Sequence, residues 1–139
     1  MHADAPRLQA ISMSGYRKAL IELALRQALR SRCRYRVGAV LGAGNRVLAA
    51  SPNLRRNNPV VDFRHATFHA EEAVLRRSRP LPGSVLYIAR VSRAEIPAIA
   101  RPCPRCQRNL AAAGITRAYY TAGPDLVQMI DIPAIKPLP

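Results

Sequence analysis

The apolar positions of GYRKALIELALRQALRS (15–31) fall into two stripes, Leu20, Ala24 and Ala28 beside Ile21, Leu25 and Leu29. A spacing of four predicts an amphipathic helix, with Ser14 as its N-cap. Arg26 and Arg30, also four apart, fall on a solvated face. The period then changes. RVGAVL (36–41) and RVLAAS (46–51) are short apolar runs around GAGN, which predicts a β-hairpin. SPNLRRNNPVVDFRHA (51–66) holds two prolines and three asparagines and reads as a long connection. Connections of that length are usually functional.

FHAEEAVLRR (68–77) predicts a second helix, capped by Thr67 and ended by PLPG at 80–83. SVLYIARV (84–91) is nearly all apolar and predicts a central strand. After a loop at 92–101, PRCQRNLAAA predicts a third helix. Pro104 lies in its first turn and Gly114 is its left-handed terminator. RAYYTA (117–122) and LVQMIDI (126–132) predict the last strands. The order is therefore α-ββ-α-β-α-β-β. Helices between single strands imply parallel crossovers, and an opening hairpin makes the sheet mixed. The expected class is α/β, a three-layer α/β/α sandwich around a mixed sheet of about five strands. At 139 residues the chain is expected to be one domain, with an extension at 1–13 and a tail at 133–139.

Composition narrows the function classes. No apolar run reaches the roughly 18 residues of a membrane span, so no membrane partner is expected. MHADAPRLQAISMSG lacks the basic start and apolar stretch of a secretory leader, which favours the cytoplasm. The three cysteines are an odd number, and two of them form a C-x-x-C pair. That argues against a disulfide framework and for metal or redox chemistry in a reducing compartment. Charge matters more: 22 cations against 8 carboxylates give a net +14. Such a field attracts phosphates and points to polymeric nucleic acid ahead of a small anion. With aromatics at 5% and no Trp, base stacking would fall to Phe63, Phe68, Tyr119, Tyr120 or arginine.

Cys103 and Cys106 open the third predicted helix, where backbone N–H groups and the macrodipole favour thiolate. A C-x-x-C pair alone fits a redox dithiol, half a structural zinc site or part of a catalytic one. The further candidate ligands are Cys33, His2, His65 and His69, and only His65 and His69 lie near a helix start. If the helix opened by His69 meets the one opened by the cysteines, an imidazole and two thiolates supply three ligands. The fourth tetrahedral position then stays open for water. Glu71, two residues beyond His69, can reach that water without ligating the metal. His65 lies on the loop side of the expected cap and reads as a wall of the pocket. Cys33 reads as an ordinary thiol and Glu72 as a first-turn residue favoured by the helix dipole.

His69-Ala70-Glu71 followed by Pro102-Cys103-Pro104-Arg105-Cys106 resembles the H-x-E…P-C-x-x-C signature of the zinc-dependent cytidine and deoxycytidylate deaminase superfamily. RVGAVL, Asn53 and AAAGITRAYYT add to the resemblance, which runs over residues 14–132. It implies zinc (Zn2+) held by His69, Cys103 and Cys106, with Glu71 as the catalytic proton shuttle. It also implies substrate contacts from Asn53, Ala70 and Pro102, to which His65 and Tyr120 are added as candidates. Arg55, Arg56, Arg90, Arg93, Arg101 and Arg105 lie in or beside loops approaching the site and would form a phosphate-gripping rim. The last strand is short, and a family-like C-terminal helix is missing or truncated.

The implied reaction is hydrolytic deamination of cytosine to uracil, expected in single-stranded DNA or RNA. Cytosine is preferred because RPCPRCQRNLAAAGI and IARV look more like deoxycytidylate and phage-type deaminases than tRNA adenosine deaminases. The alternatives are a deaminase of free cytidine or deoxycytidylate, a tRNA-type adenine deaminase, and a non-catalytic zinc-stabilised nucleic-acid-binding module. The partner is thus single-stranded nucleic acid or a cytosine nucleotide, and a homo-oligomer is allowed.

Overall fold

A computed structural model describes residues 18–55 and 67–133, with the backbone alone for Arg55, Thr67 and Phe68. Ser14, Arg56 and His65 lie outside the described residues. The elements are α1 (Lys18–Arg30), β1 (Arg36–Ala43), β2 (Arg46–Pro52), β3 (Leu54–Arg55), β4 (Thr67–Phe68), α2 (Ala70–Arg77), β5 (Val85–Val91), β6 (Pro97–Ala98), α3 (Pro104–Ala112), β7 (Arg117–Gly123) and β8 (Leu126–Asp131). The long strands order as β2-β1-β5-β7-β8, with β6 pairing β5. β5 and β7 run parallel, and the other pairs in the sheet are antiparallel. The mixed sheet of the expectation is therefore present, with one parallel crossover made through α3.

Alternation along the strands sends residues into two cores. Val40, Tyr87, Ala89 and Tyr119 pack with Leu20, Ile21 and Ala24 of α1 on one face. Ala39, Leu41, Leu86, Ile88, Ala118 and Tyr120 pack with Ala70 and Val74 of α2 and Leu110 of α3 on the other. Helices thus cover both faces, giving three layers. α1 lies so close to β1 that a β-carbon on Gly38 would collide with the backbone of Ala24 and Ala28. That approach is open only to glycine.

Three local expectations are corrected. Thr67 is not a helix cap; its backbone pairs with β3 as part of β4, and α2 starts three residues later with His69 as N-cap. The 92–101 loop carries β6, a two-residue strand too short to leave a periodic signal. Tyr119 and Tyr120, candidates for base stacking and in the case of Tyr120 for substrate contact, are both buried, because both faces of β7 are covered. Gly114 does terminate α3 in the left-handed region, at φ 85°.

Strand directions gather the polar ends. Arg36, which opens β1, pairs with Val91, which closes β5, and Pro52 at the end of β2 pairs with Gly38. Thr121 near the end of β7 accepts from the backbone N–H of Arg90 at 3.1 Å and donates to the Ala98 carbonyl at 2.7 Å. The Thr121 carbonyl accepts from Ala100 N–H at 2.9 Å. The starts of α2 and α3 reach the same end of the sheet, beyond the carboxyl ends of the parallel strands. Open α/β sheets place ligands there.

Candidate metal centre

His69 and Cys103 are each the N-cap of a helix, in extended conformation at φ −63°, ψ 146° and φ −69°, ψ 163°. An extended cap turns the side chain out of the coil, and Pro104 at the first position of α3 costs nothing there because that N–H has no helical partner. Cys103 Sγ accepts from the Cys106 N–H at 3.5 Å, which holds the C-x-x-C turn closed. His69 Nδ1 lies 3.0 Å from Cys106 Sγ and 3.8 Å from Cys103 Sγ. All three donor atoms lie within 4.8 Å of one another.

The donor set fits zinc on its chemistry: one nitrogen and two sulfurs, of a kind and number that suit a borderline-soft ion. Electrostatics point the same way. Burial pushes the Cys106 thiol up from its ordinary value, and the neighbouring Glu71 and Cys103 push it further. Burial also raises the Glu71 carboxyl; hydrogen bonds from its own backbone N–H and from Cys106 pull it partly back. Groups that would be anionic together thus face one another in a buried place, and a divalent cation relieves that repulsion.

A cavity of about 350 Å³ opens on this centre. His69, Ala70, Glu71 and Cys103 form one wall, with Asn53, Tyr35 and Val37 opposite and Arg90, Ile99, Ala100 and Arg101 completing it. Asn53 is held rigidly. Its Oδ1 accepts from Ser31 Oγ at 2.5 Å and Val37 N–H at 3.1 Å, and its Nδ2 donates to the Tyr35 carbonyl at 2.6 Å. Among the described residues one of its two amide N–H donors is used, which leaves the other for a ligand.

The expected site residues therefore divide. His69, Cys103 and Cys106 come together, and Glu71, Asn53, Ala70, Arg90 and Arg101 share the cavity. Pro102 is buried behind it, its carbonyl accepting from Gln107 Nε2 at 2.8 Å. Tyr120 does not line it: its ring sits in the core and its hydroxyl meets Gln128 Oε1 at 3.1 Å. Arg93 is exposed on the loop before β6. Arg105 lies outside the cavity lining and is paired with Glu72, Nη2 to Oε1 at 2.8 Å. Arg55 is described only as backbone in β3, and Arg56 and His65 lie outside the described residues.

Two residues escaped the sequence reading. Glu72 accepts from the His69 backbone N–H at 3.2 Å, from Arg105, and from Asn109 Nδ2 at 3.4 Å, so it ties the two ligand-bearing helices together. Its only sequence signal is its place in the first turn of α2. Tyr35 stands in the cavity wall, and its only signal is its position inside an arginine run.

Residues 15–122 match the family described as the cytidine and deoxycytidylate deaminase zinc-binding region. The chain belongs to this family. It is thereby a zinc-dependent hydrolytic deaminase by kind, and the expected fold and cofactor stand. Among solved structures it is similar to the dCMP deaminase of the cyanophage S-TIM5, with 25% identity and a TM-score of 0.58 over 74% of this chain and 79% of that one. It is similar also to a protein from a study of A-to-I editing by tRNA:A34 deaminases at the wobble position of transfer RNA. That pair shows 33% identity and a TM-score of 0.52 over 73% of each chain. A cytidine deaminase from Burkholderia pseudomallei shares the fold, at 18% identity and a TM-score of 0.62 over 82% of this chain and 91% of that one. No curated protein matches the chain. No helix among the described residues is long and apolar enough to cross a membrane.

Proposed function

We propose that the protein converts cytosine to uracil in single-stranded nucleic acid, with water consumed and ammonia released. The observation that carries the deaminase chemistry is the place of Glu71. It is buried, two residues from His69, hydrogen-bonded with Cys106, and in the wall of the same cavity. Zinc bound by His69, Cys103 and Cys106 supplies a Lewis acid that activates a water nucleophile. Glu71 would accept one proton from the attacking water and pass it to the ring nitrogen of the base; it would then take the second from the hydroxyl left on the ring carbon, which becomes the carbonyl, and give it to the amine, which departs as ammonia. A carboxyl whose affinity for protons is raised by burial suits a group that must both take and return one. The Asn53 amide, fixed by Ser31 and Val37, orients the nucleotide, and the Ala70 backbone meets the base edge.

The net charge of +14 and the Arg90 and Arg101 side of the cavity support a polymeric substrate. Two specific likenesses favour other readings: the phage dCMP deaminase a free nucleotide, and the tRNA-editing relative adenine. A deamination panel of cytidine, deoxycytidylate, single-stranded DNA, RNA, duplex and an adenosine-containing anticodon stem-loop separates them, with Glu71→Gln as control. The expected result is uracil in a single strand, with loss of roughly 10²–10⁴ in turnover for the variant at unchanged zinc content. Ammonia from none of the substrates would refute the enzyme reading.

A further inference from the structure

We infer that the segment joining α1 to β1 is a strand-binding track. In it Arg30, Arg32 and Arg34 grip phosphates, and the Arg34–Tyr35–Arg90 layer supports the base next to the one in the cavity. The inference rests on the polynucleotide reading above and names the surface that reading requires.

The segment reads RSRCRYR (30–36), with arginine at every second position. Arg30, Arg32 and Arg34 are exposed while Ser31 and Cys33 between them are buried. The buried pair anchors the run from beneath. Ser31 Oγ donates to Asn53 Oδ1, the Cys33 N–H donates to Ser31 Oγ at 3.1 Å, and Cys33 Sγ donates to the Asn53 carbonyl at 3.6 Å. The arginines therefore stand on one anchored segment instead of a loose loop, with Arg30 Nη1 donating to Gln27 Oε1 at 3.1 Å at its start and the Arg34 guanidinium over the Tyr35 ring at its end. A ledge of regularly spaced cations suits the regular charge of a polynucleotide backbone.

The ledge leads to the cavity. A second depression of about 520 Å³ is lined by Arg30, Arg32, Cys33, Pro52, Asn53 and Leu54. Asn53 also lines the cavity over the metal centre, so one residue forms the wall between the two. Tyr35 follows at the rim: 63% exposed, yet part of the cavity wall. The guanidinium carbons of Arg34 and Arg90 lie over its ring, 5.9 and 5.7 Å from the centroid. Flat cationic and aromatic groups layered in this way are a stacking platform for a base. A free nucleotide would use neither the ledge nor the platform, because it has no neighbouring base and no further phosphate.

The test is fluorescence-anisotropy binding of a single-stranded oligonucleotide of about ten nucleotides, with one cytosine, in DNA and RNA forms. The zinc-loaded protein is compared with the triple variant Arg30→Ser, Arg32→Ser, Arg34→Ser. A charge-matched triple at exposed positions on the far end of the sheet, Arg46→Ser, Arg79→Ser, Arg117→Ser, is the control. The track variant is expected to bind at least tenfold more weakly than the control. Its salt dependence should be shallower by about 0.7 in log-log slope for each phosphate that is no longer neutralised. Tyr35→Ala should weaken binding about tenfold, and Tyr35→Trp should restore it. Single Arg32→Ser and Arg34→Ser variants give the same information, one position at a time, should the triple prove too unstable to purify. If wild type binds the strands and the two triples bind alike, the track is wrong and the polynucleotide reading survives. If wild type binds no strand yet deaminates deoxycytidylate, both fall together.

Discussion

Along β5, Leu86 and Ile88 face α2 and α3 while Tyr87 and Ala89 face α1; along β7, Tyr120 and Tyr119 divide in the same way. The two faces share strands but not a manner of packing. Toward α1 the contact is a matter of shape. Tyr87 and Tyr119 stack with centroids 5.5 Å apart and planes 16° from parallel, and the α1 backbone rests on Gly38. Toward α2 and α3 the packing is apolar beneath but polar at the helix starts, where Glu72 joins Arg105, Asn109 and the His69 N–H around the donor atoms. Stability on the first face comes from close fit, whereas the second gives part of its surface to groups that a purely structural core would exclude. The two should therefore fail differently.

The largest break lies on the chemical face. Cys106→Ala leaves two ligands, and zinc affinity by competition with a chelator should fall by more than the roughly 10–100-fold typical of an outer-shell contact. Next comes Gly38→Ala. It should cost about 3 kcal/mol, the upper part of the range for overpacking, in denaturant unfolding. The folded fraction should keep its zinc affinity and turnover; a loss of either at full folding would show that the faces are not separable. Glu72→Ala should lower zinc affinity or turnover about tenfold while changing the melting temperature little. Equal losses in melting temperature for Glu72→Ala and Gly38→Ala would erase the distinction. The smallest effect is a slope. Because the Cys106 thiol is held neutral without metal, a proton competes with zinc at its sulfur. Affinity should therefore rise with pH, by about tenfold per pH unit for each thiol proton displaced, and weaken as pH falls, measurable by titration across neutral pH.

Periodicity made the large elements legible. α1, the β1–β2 hairpin, β5 and α3 each carry a regular apolar spacing, and the H-x-E and C-x-x-C motifs carry the donor atoms within two short stretches. What was illegible depends on contacts between distant positions or on elements without a period. Glu72 and Arg105 are 33 positions apart, and nothing local distinguishes a bridging glutamate from a solvated one. The start of α2 was misplaced because Thr67 is a common cap type and His69 is not. Here the histidine occupies the cap position because its ring is turned toward the cysteines. Tyr120 is a substrate-contact candidate only if one face of its strand, where alternate residues face opposite ways, is open. This sheet has no open face at β7. Tyr35 escaped because an arginine run reads as solvated charge until the buried Ser31 and Cys33 show it to be anchored.

The Glu72 tie also bears on how the ion arrives. Its bonds to Arg105 and Asn109 hold α2 against α3 without involving an ion, so they keep the imidazole and both sulfurs within reach of one another. Capture then needs the ion to shed water and the thiols to shed protons, without a helix having to dock first. Loading should accordingly be a single concentration-dependent phase, and stripping the ion should leave a receptor that refills instead of a chain that must refold.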